Sequence, residues 1–122
     1  MTDSARLDAL HGWTRLWNGD LDEAVRIATP TARVRFGARA IGEQADGLVG
    51  AEALGEFIGA FRAARPGLTY SEVELRAGPD GGVSVWNATM GELAVGGIDV
   101  FTFTADDLID HVWSVTAERP MA

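Results

Sequence analysis

Asp99 is the residue of this chain that is best suited to chemistry. It is the only acid in the apolar run from Gly96 to Thr104, and strand alternation puts its side chain on the same face as Phe101 and Phe103. Desolvation among aromatic rings raises the pKa of a carboxyl group. A neutral Asp99 could donate a hydrogen bond to a carbonyl or enolate oxygen, and an ionised Asp99 could act as a base. The alternative is a structural acid paired with an arginine or an indole N–H.

His111 is the second candidate for a role in catalysis. Along the last apolar segment it shares a face with Ile109 and Trp113, and we expect this face to point towards the same interior as Asp99. An imidazole gains or loses a proton near neutral pH, so His111 is the natural acid or base partner of Asp99. The alternative is a core imidazole that hydrogen-bonds to the backbone or to a partner chain.

The segment from Val83 to Glu92 gives two further expectations. Asn87 shares the parity of Val83 and Val85, which predicts an amide on the same inner wall as Asp99. A bulge in the hairpin would reverse this assignment. Trp86 has the opposite parity and is predicted to lie exposed on the outer face of the sheet, where it would contact the second subunit of a homodimer.

Two kinds of element must position these side chains. Apolar spacing and capping residues predict three helices in the first half of the chain, over about residues 4–17, 21–29 and 51–65. Alternation predicts strands over 32–37, 70–76, 83–92, 98–104 and 108–116. Helices followed by a strand meander indicate a single α+β domain over residues 1–122, with the helices packed on one face of a curved antiparallel sheet.

Composition limits the class of protein. The 122 residues, 47% of them hydrophobic, carry a net charge of -8, which argues against nucleic acid or an anionic membrane as a partner. The chain has no cysteine and only two isolated histidines, so thiolate chemistry is excluded and neither a metal nor a cofactor is expected. The polar first residues and the lack of a long apolar run predict a cytoplasmic protein.

Four strings, in this order, resemble the nuclear transport factor 2-like superfamily, and within it the SnoaL-like polyketide cyclases and ketosteroid isomerases. They are Trp17-Asn18-Gly19-Asp20-Leu21-Asp22, Gly50-Ala51-Glu52-Ala53-Leu54, Gly97-Ile98-Asp99-Val100-Phe101-Thr102-Phe103 and His111-Val112-Trp113-Ser114-Val115. The resemblance implies a cone-shaped fold, in which a bent sheet is closed by three helices around an apolar pocket. It also implies a homodimer formed through the outer sheet face.

The resemblance assigns the pocket wall as well. In such a fold the core and the pocket are lined by largely the same aromatic residues, which are core residues first and candidates for ligand binding second. The substrate-binding set predicted in this way, beside Asn87, is Trp13, Trp17, Phe36, Phe57, Phe61, Phe101 and Trp113.

Asp99 falls where ketosteroid isomerases place an aspartic acid that stabilises an oxyanion, within a matching Ile-Asp-Val string. The other parts of that mechanism are missing from the expected positions. The strand that should hold the general base reads Val34-Arg35-Phe36, and the first helix offers Trp13 and Trp17 in place of a tyrosine. The sole tyrosine, Tyr70, shares its strand face with charged residues and is predicted to point outward.

Two other subfamilies also fit incompletely. Limonene epoxide hydrolases require an arginine at the position of Gly97, and SnoaL-type cyclases use an acid near the end of the last strand, where this chain has Thr116 and Ala117. Glu118 lies just beyond and would reach that position only through a shift of one or two residues.

Three functions therefore remain open. The first is an enzyme acting on a small hydrophobic carbonyl, epoxide or polyketide-like compound, with Asp99 and His111 handling protons. The second is a non-catalytic ligand-binding or accessory dimeric protein that uses the same pocket. The third is a protein-protein module, which would need exposed apolar surface beyond the dimer face.

Overall fold

The computed structural model describes residues 2–122 and confirms the α+β class. Its elements are, in chain order, α1 (Thr2–Trp17), α2 (Glu23–Ile27), β1 (Ala28–Phe36), α3 (Arg39–Ala45), α4 (Ala51–Ala63), β2 (Thr69–Gly78), β3 (Gly81–Met90), β4 (Leu93–Phe103) and β5 (Ile109–Ala117). The three predicted helices are present. The short helix α3 lies between the predicted strand over 32–37 and the predicted helix over 51–65, where the sequence predicts no element. Within the described residues, no helix is long and apolar enough to cross a membrane.

The five strands form one sheet in the order β1-β5-β4-β3-β2. Strands β2 to β5 make an antiparallel meander. β1 joins the edge beside β5 in the parallel direction, with Phe36 opposite Ser114. The sheet is thus antiparallel except at its first strand, and its curvature is consistent with the cone fold of the nuclear transport factor 2-like superfamily.

Helix α1 packs across one face of the sheet, which we call the inner face, and the opposite face is the outer face. Leu10, Trp13 and Leu16 are buried in the main hydrophobic core together with Phe101 and Val112 from the sheet. Each large apolar side chain that is buried stabilises the folded state by about 1.5–3 kcal/mol, so this contact sets the position of the helix.

Arg6 holds the start of α1 against two turns of the sheet. Its guanidinium group donates to Asp107 Oδ1 at 2.8 Å, to the carbonyl oxygens of Gly78 and Pro79 at 2.9 and 3.1 Å, and to that of Thr104 at 3.3 Å. Almost every donor of a buried arginine is therefore matched. These contacts join α1 to two of the three hairpin turns, between β2 and β3 and between β4 and β5.

The pairings of the sheet contain three irregularities in register, one of them in β1 between Ala28 and Arg33, and the other two decide which candidate site residues face inward. One lies in β2 between Glu72 and Glu74, and the other interrupts the β4–β5 pairing, where Thr102 pairs with His111 but Phe103 pairs with Ile109. A residue inserted on one strand reverses the faces of all residues beyond it on that strand. Both bulges lie next to candidate site residues.

Candidate functional site

A cavity lies between α1 and the inner face of the sheet. Its wall is aromatic and its floor is polar, with lining residues Trp13, Trp17, Phe36, Tyr70 and Trp86 in the wall and Ser84, Asp99, Ser114 and Thr116 in the floor. The cavity volume is about 30 Å³, which is room for about two water molecules. The site in this conformation therefore accommodates the polar group of a ligand, while the ligand body would lie towards the open mouth.

Asp99 occupies the centre of the floor. In the sheet it pairs with Ser84 on β3 and with Ser114 on β5, so three polar side chains form one row across the inner face. The Asp99 side chain is only 5% exposed. Trp13 Nε1 donates to its Oδ2 at 2.9 Å, whereas Oδ1 has no hydrogen-bond partner among the described residues.

Burial raises the pKa of the Asp99 carboxyl group, and the facing side chains of Ser114, Trp13 and Trp86 oppose this only in part. No ion pair with Asp99 occurs within residues 2–122, so no positive charge compensates its ionised form there. Because Oδ2 already accepts the Trp13 N–H, the proton of a neutral Asp99 belongs on Oδ1. The oxygen that can exchange a proton is thus the one that is free to meet a ligand.

Trp86 lies beside Asp99 and not on the outer face, so its prediction as an exposed dimer contact was wrong. Its side chain is 9% exposed and lines the cavity. The indole lies over Gly97, where a Cβ atom would come 2.2 Å from the ring carbon Cζ2. Trp86 Nε1 has no hydrogen-bond partner in the described part of the chain.

Tyr70 also lines the cavity, against the prediction that it points outward. It pairs with the inner residue Ala88, and the bulge that follows it turns Glu74 to the outer face opposite Val85. The prediction placed Tyr70 on the same face as Glu74 by simple alternation, and the bulge between them makes that assignment wrong. Burial, with a further contribution from the negative charge of Asp99, raises the pKa of Tyr70 to about 12.

His111 does not meet Asp99, so its predicted inward orientation was wrong. The irregularity in the β4–β5 pairing lies between Ile109 and His111, so that Ile109 is buried in the core while His111 lies on the outer face. There the imidazole stacks on Trp113 with ring centroids 4.0 Å apart. Trp113 is 45% exposed on the same face, which also removes it from the predicted pocket wall.

Asn87 was predicted on the inner wall and lies on the outer face instead. The buried positions of β3 are Gly82, Ser84, Trp86 and Ala88, the parity opposite to the predicted one. The Asn87 amide binds the backbone near the end of the chain, accepting from Met121 N at 2.7 Å and donating to the Ala122 oxygen at 3.2 Å. It holds the last residues against the sheet and takes no part in the cavity.

The other predicted binding residues fall into two groups. Trp13, Trp17 and Phe36 line the cavity, which agrees with what the resemblance implies for them. Three more form a second layer behind this wall, through ring contacts of Phe57 with Phe36 at 6.1 Å, of Phe61 with Trp17 at 5.6 Å and of Phe101 with Trp13 at 5.3 Å. Glu118 is exposed beyond the end of β5, and Thr116 takes the lining position instead.

Sequence reasoning missed seven lining residues, namely Thr14, Ile41, Tyr70, Ser84, Trp86, Ser114 and Thr116. One signal could have located Trp86. Glycine in the interior of a strand often marks the close approach of another group, and Gly97 lies directly opposite Trp86 in the β3–β4 pairing.

Three solved structures show the same fold. Bal32a, from a soil-derived mobile gene cassette, is 15% identical over 95% of this chain and 92% of its own, with a TM-score of 0.78. A candidate polyketide cyclase from Acidithiobacillus ferrooxidans is 19% identical over 92% of this chain and 87% of its own, with a TM-score of 0.76. A candidate ketosteroid isomerase from Kribbella flavida is 15% identical over 98% and 83%, with a TM-score of 0.75. At such identities the likeness establishes the fold alone.

The curved sheet, the crossing helix and the cavity between them define a protein of the nuclear transport factor 2-like superfamily. Residues 10–112 match the SnoaL-like domain model, and the chain belongs to that family. No curated protein matches the chain in sequence. Since the fold supports several chemistries, the function has to be argued from the cavity itself.

Proposed function

We propose that the chain is an enzyme of the isomerase or cyclase type that moves a proton next to a carbonyl group of a small hydrophobic compound. The observation that carries the proposal is the free Oδ1 of Asp99, buried in an aromatic cavity without a counter-charge among the described residues. Membership of the SnoaL-like family and the fold shared with a candidate isomerase and a candidate cyclase support it.

In the proposed step, ionised Asp99 takes a proton from the carbon next to the carbonyl through Oδ1. The electron pair of the C–H bond moves into the carbonyl group, which becomes an enolate. Where a C=C bond lies β,γ to the carbonyl group, the enolate is a dienolate, and Asp99 returns the proton to its γ carbon, which moves the double bond into conjugation and isomerises the compound. In a cyclisation, the enolate carbon attacks a second carbonyl carbon of the same molecule, and the new alkoxide oxygen takes the proton from Asp99. A raised pKa makes Asp99 a stronger base than an exposed carboxylate.

A second candidate function is ligand binding without proton transfer. Two observations favour it. Asp99 is the only carboxyl group among the described lining residues, and His111 lies outside the cavity. Such a protein would bind hydrophobic compounds in the same cavity, and Asp99 would then only select their polar group.

The exchange of hydrogen for deuterium next to a carbonyl separates the two candidates. Acetophenone in D₂O is the probe, because its methyl protons lie next to a carbonyl and their loss is followed by NMR. We expect the protein to accelerate this exchange and Asp99→Asn to lose the acceleration by about 100-fold or more. Asp106→Asn is the matched control, since that side chain is exposed in the turn between β4 and β5.

Two results would contradict the enzymatic proposal. An Asp99→Asn variant that exchanges as fast as the unchanged protein would remove the role of Asp99. Thermal stabilisation by acetophenone, without acceleration of exchange, would show the binding protein of the second candidate.

A further inference from the structure

We propose that Trp86 is a second substrate-contacting residue, and that its indole N–H binds the carbonyl oxygen of the ligand. The site would then select compounds that carry a hydrogen-bearing carbon next to a carbonyl group on a flat apolar body. The selection of this substrate class rests on the proposed function of Asp99, whereas the contact of Trp86 with a carbonyl oxygen is tested independently of any turnover.

The first support is the position of the unpartnered polar atoms. Four buried side-chain atoms lack a hydrogen-bond partner among the described residues, and three of them belong to residues that line this one cavity: Ser84 Oγ, Trp86 Nε1 and Asp99 Oδ1. A buried polar group without a partner costs about 1–3 kcal/mol. Three such groups around one cavity indicate a site built to bind a polar group.

The chemistry of these atoms restricts what the polar group can be. An indole N–H only donates a hydrogen bond, and an ionised carboxylate oxygen only accepts one. A ligand that satisfies both needs an acceptor oxygen for Trp86 next to a proton that Asp99 can take. The H–C–C=O unit of an enolisable ketone has both, on two atoms that are bonded to the same carbonyl carbon. A flat apolar body attached to that unit would lie towards the mouth of the cavity, next to its aromatic wall.

The second support is the way in which the indole of Trp86 is held. A Cβ atom at residue 97 would come 2.2 Å from Cζ2 and 2.6 Å from Cε2, the ring carbon that is bonded to Nε1. Only glycine therefore lets the ring lie against β4 at this height. Tyr70 packs on the same indole with ring centroids 5.4 Å apart. The donor is thus held in place before a ligand binds, as stabilisation of a developing enolate oxygen requires.

The two indoles beside Asp99 therefore have different roles. Trp13 Nε1 donates to Asp99 Oδ2 at 2.9 Å and holds the carboxyl group in place. Trp86 Nε1 faces the same carboxyl group and opposes the rise of its pKa, but it lacks a hydrogen-bond partner. A ligand oxygen that accepts from Trp86 Nε1 would therefore lie next to Asp99 Oδ1, and it would take over the contact that the indole N–H makes with the carboxyl group.

The test compares acetophenone with ethylbenzene, which has a similar shape but lacks the oxygen. The protein is labelled with ¹⁵N-tryptophan, and Trp86→Phe identifies the indole signal of Trp86. We expect acetophenone to move this signal downfield and ethylbenzene to leave it almost unchanged. Trp86→Phe should weaken acetophenone binding by about 3- to 10-fold more than it weakens ethylbenzene binding, because both ligands lose the apolar contact and only acetophenone loses the hydrogen bond.

Equal movements of the Trp86 signal with both ligands, or no binding of acetophenone up to its solubility limit, would overturn the proposal. So would tighter binding of 1-phenylethanol, which would indicate a site for alcohols. The titration of the unchanged protein remains decisive if Trp86→Phe does not fold, since the four tryptophan signals can then be assigned by conventional NMR. A Trp86 signal that responds to acetophenone while no deuterium exchange occurs would leave this contact standing and reject the proposed enzyme.

Discussion

The inner and outer faces of strands β3, β4 and β5 differ in which side chains lie in an unfavourable environment. On the inner face, polar groups are withdrawn from water, and Asp99 keeps one oxygen without a partner among the described residues. On the outer face, apolar groups remain in water, with Trp113 45% and Val115 61% exposed. Neighbouring residues of the same strands are thus solvated unfavourably in opposite ways. A polar ligand would pair the buried polar groups of the inner face, and contact with another apolar surface would remove the apolar groups of the outer face from water.

The comparison also separates the two residues that could transfer protons. Asp99 is buried beside Trp13 and Trp86, and its pKa is raised because burial disfavours the charged form. His111 stacks on Trp113 on the other side of the sheet. A backbone layer separates the two side chains, so they cannot exchange a proton directly. Any acid-base chemistry of the cavity therefore depends on Asp99 without an imidazole.

The largest expected effect concerns the backbone that seats Trp86. Gly97→Ala places a methyl group 2.2 Å from the Trp86 ring and 2.5 Å from the Val115 carbonyl oxygen, and neither neighbour can be avoided by a simple rotation. We expect the free energy of unfolding to fall by about 3 kcal/mol, measured by urea denaturation. Gly78→Ala, which meets no atom within 4 Å, is the control and should change it by less than about 0.5 kcal/mol. Equal stability of the two variants would mean that Trp86 does not lie over Gly97.

The next effect is the dependence of stability on pH. The folded state raises the pKa of Asp99 above its ordinary value of 3.8, so Asp99 binds more protons in the folded than in the unfolded chain from about pH 3.8 up to the folded pKa. The contribution of Asp99 to stability therefore falls as pH rises through this window. Asp99→Asn removes this loss of stability with rising pH. The free energy of unfolding of the variant, relative to that of the unchanged protein, should therefore increase by up to about 1.4 kcal/mol per pH unit.

Urea denaturation of both proteins at a series of pH values between 3.8 and neutrality measures this difference. Asp106→Asn serves again as the exposed control. If the difference in the free energy of unfolding between the two proteins does not change with pH, the pKa of Asp99 is not raised in the folded state. Burial on the inner face would then not disfavour the charged form of Asp99.

A smaller effect tests whether Tyr70 belongs to the inner face. Because the chain has one tyrosine, the ultraviolet absorbance of its phenolate reports on Tyr70 alone. We expect the pKa to be about 12, since burial and the charge of Asp99 both disfavour ionisation. Asp99→Asn should lower this pKa, because it removes the second cause. A tyrosine that pointed outward would titrate near its ordinary pKa of 10.0 in both proteins.

The sequence was sufficient where a strand is regular and insufficient where it bulges. Asp99, Phe101 and the exposed Val100 have the faces that alternation predicts, because no residue is inserted between them. Tyr70 and His111 were assigned to the wrong face, and each lies next to a break in register. A bulge depends on how two strands meet in space, and alternation within one strand contains no information about it.

Strand β3 shows a different limit, because it has no break in its pairing with β4. The prediction placed Trp86 and Asn87 on the wrong faces, because each of the two alternating sets of residues in this strand contains small, polar and apolar side chains. The deciding contact is non-local, namely the space that Gly97 leaves for the indole. Helix positions were easier to predict, since the spacing of Trp13 and Trp17 alone places both on the buried side of α1.

The last prediction concerns the outer face and has the smallest expected effect on the cavity. His111→Ala should leave deuterium exchange on acetophenone unchanged, because the sheet separates its ring from Asp99. The homodimer expected from the sequence stays a prediction, and the corrected positions make Trp113 rather than Trp86 its natural contact. Trp113→Glu should therefore lower the mass measured by sedimentation while the exchange rate is retained. Loss of exchange in either variant would show that the two faces are coupled, and that the outer face contributes to the chemistry of Asp99.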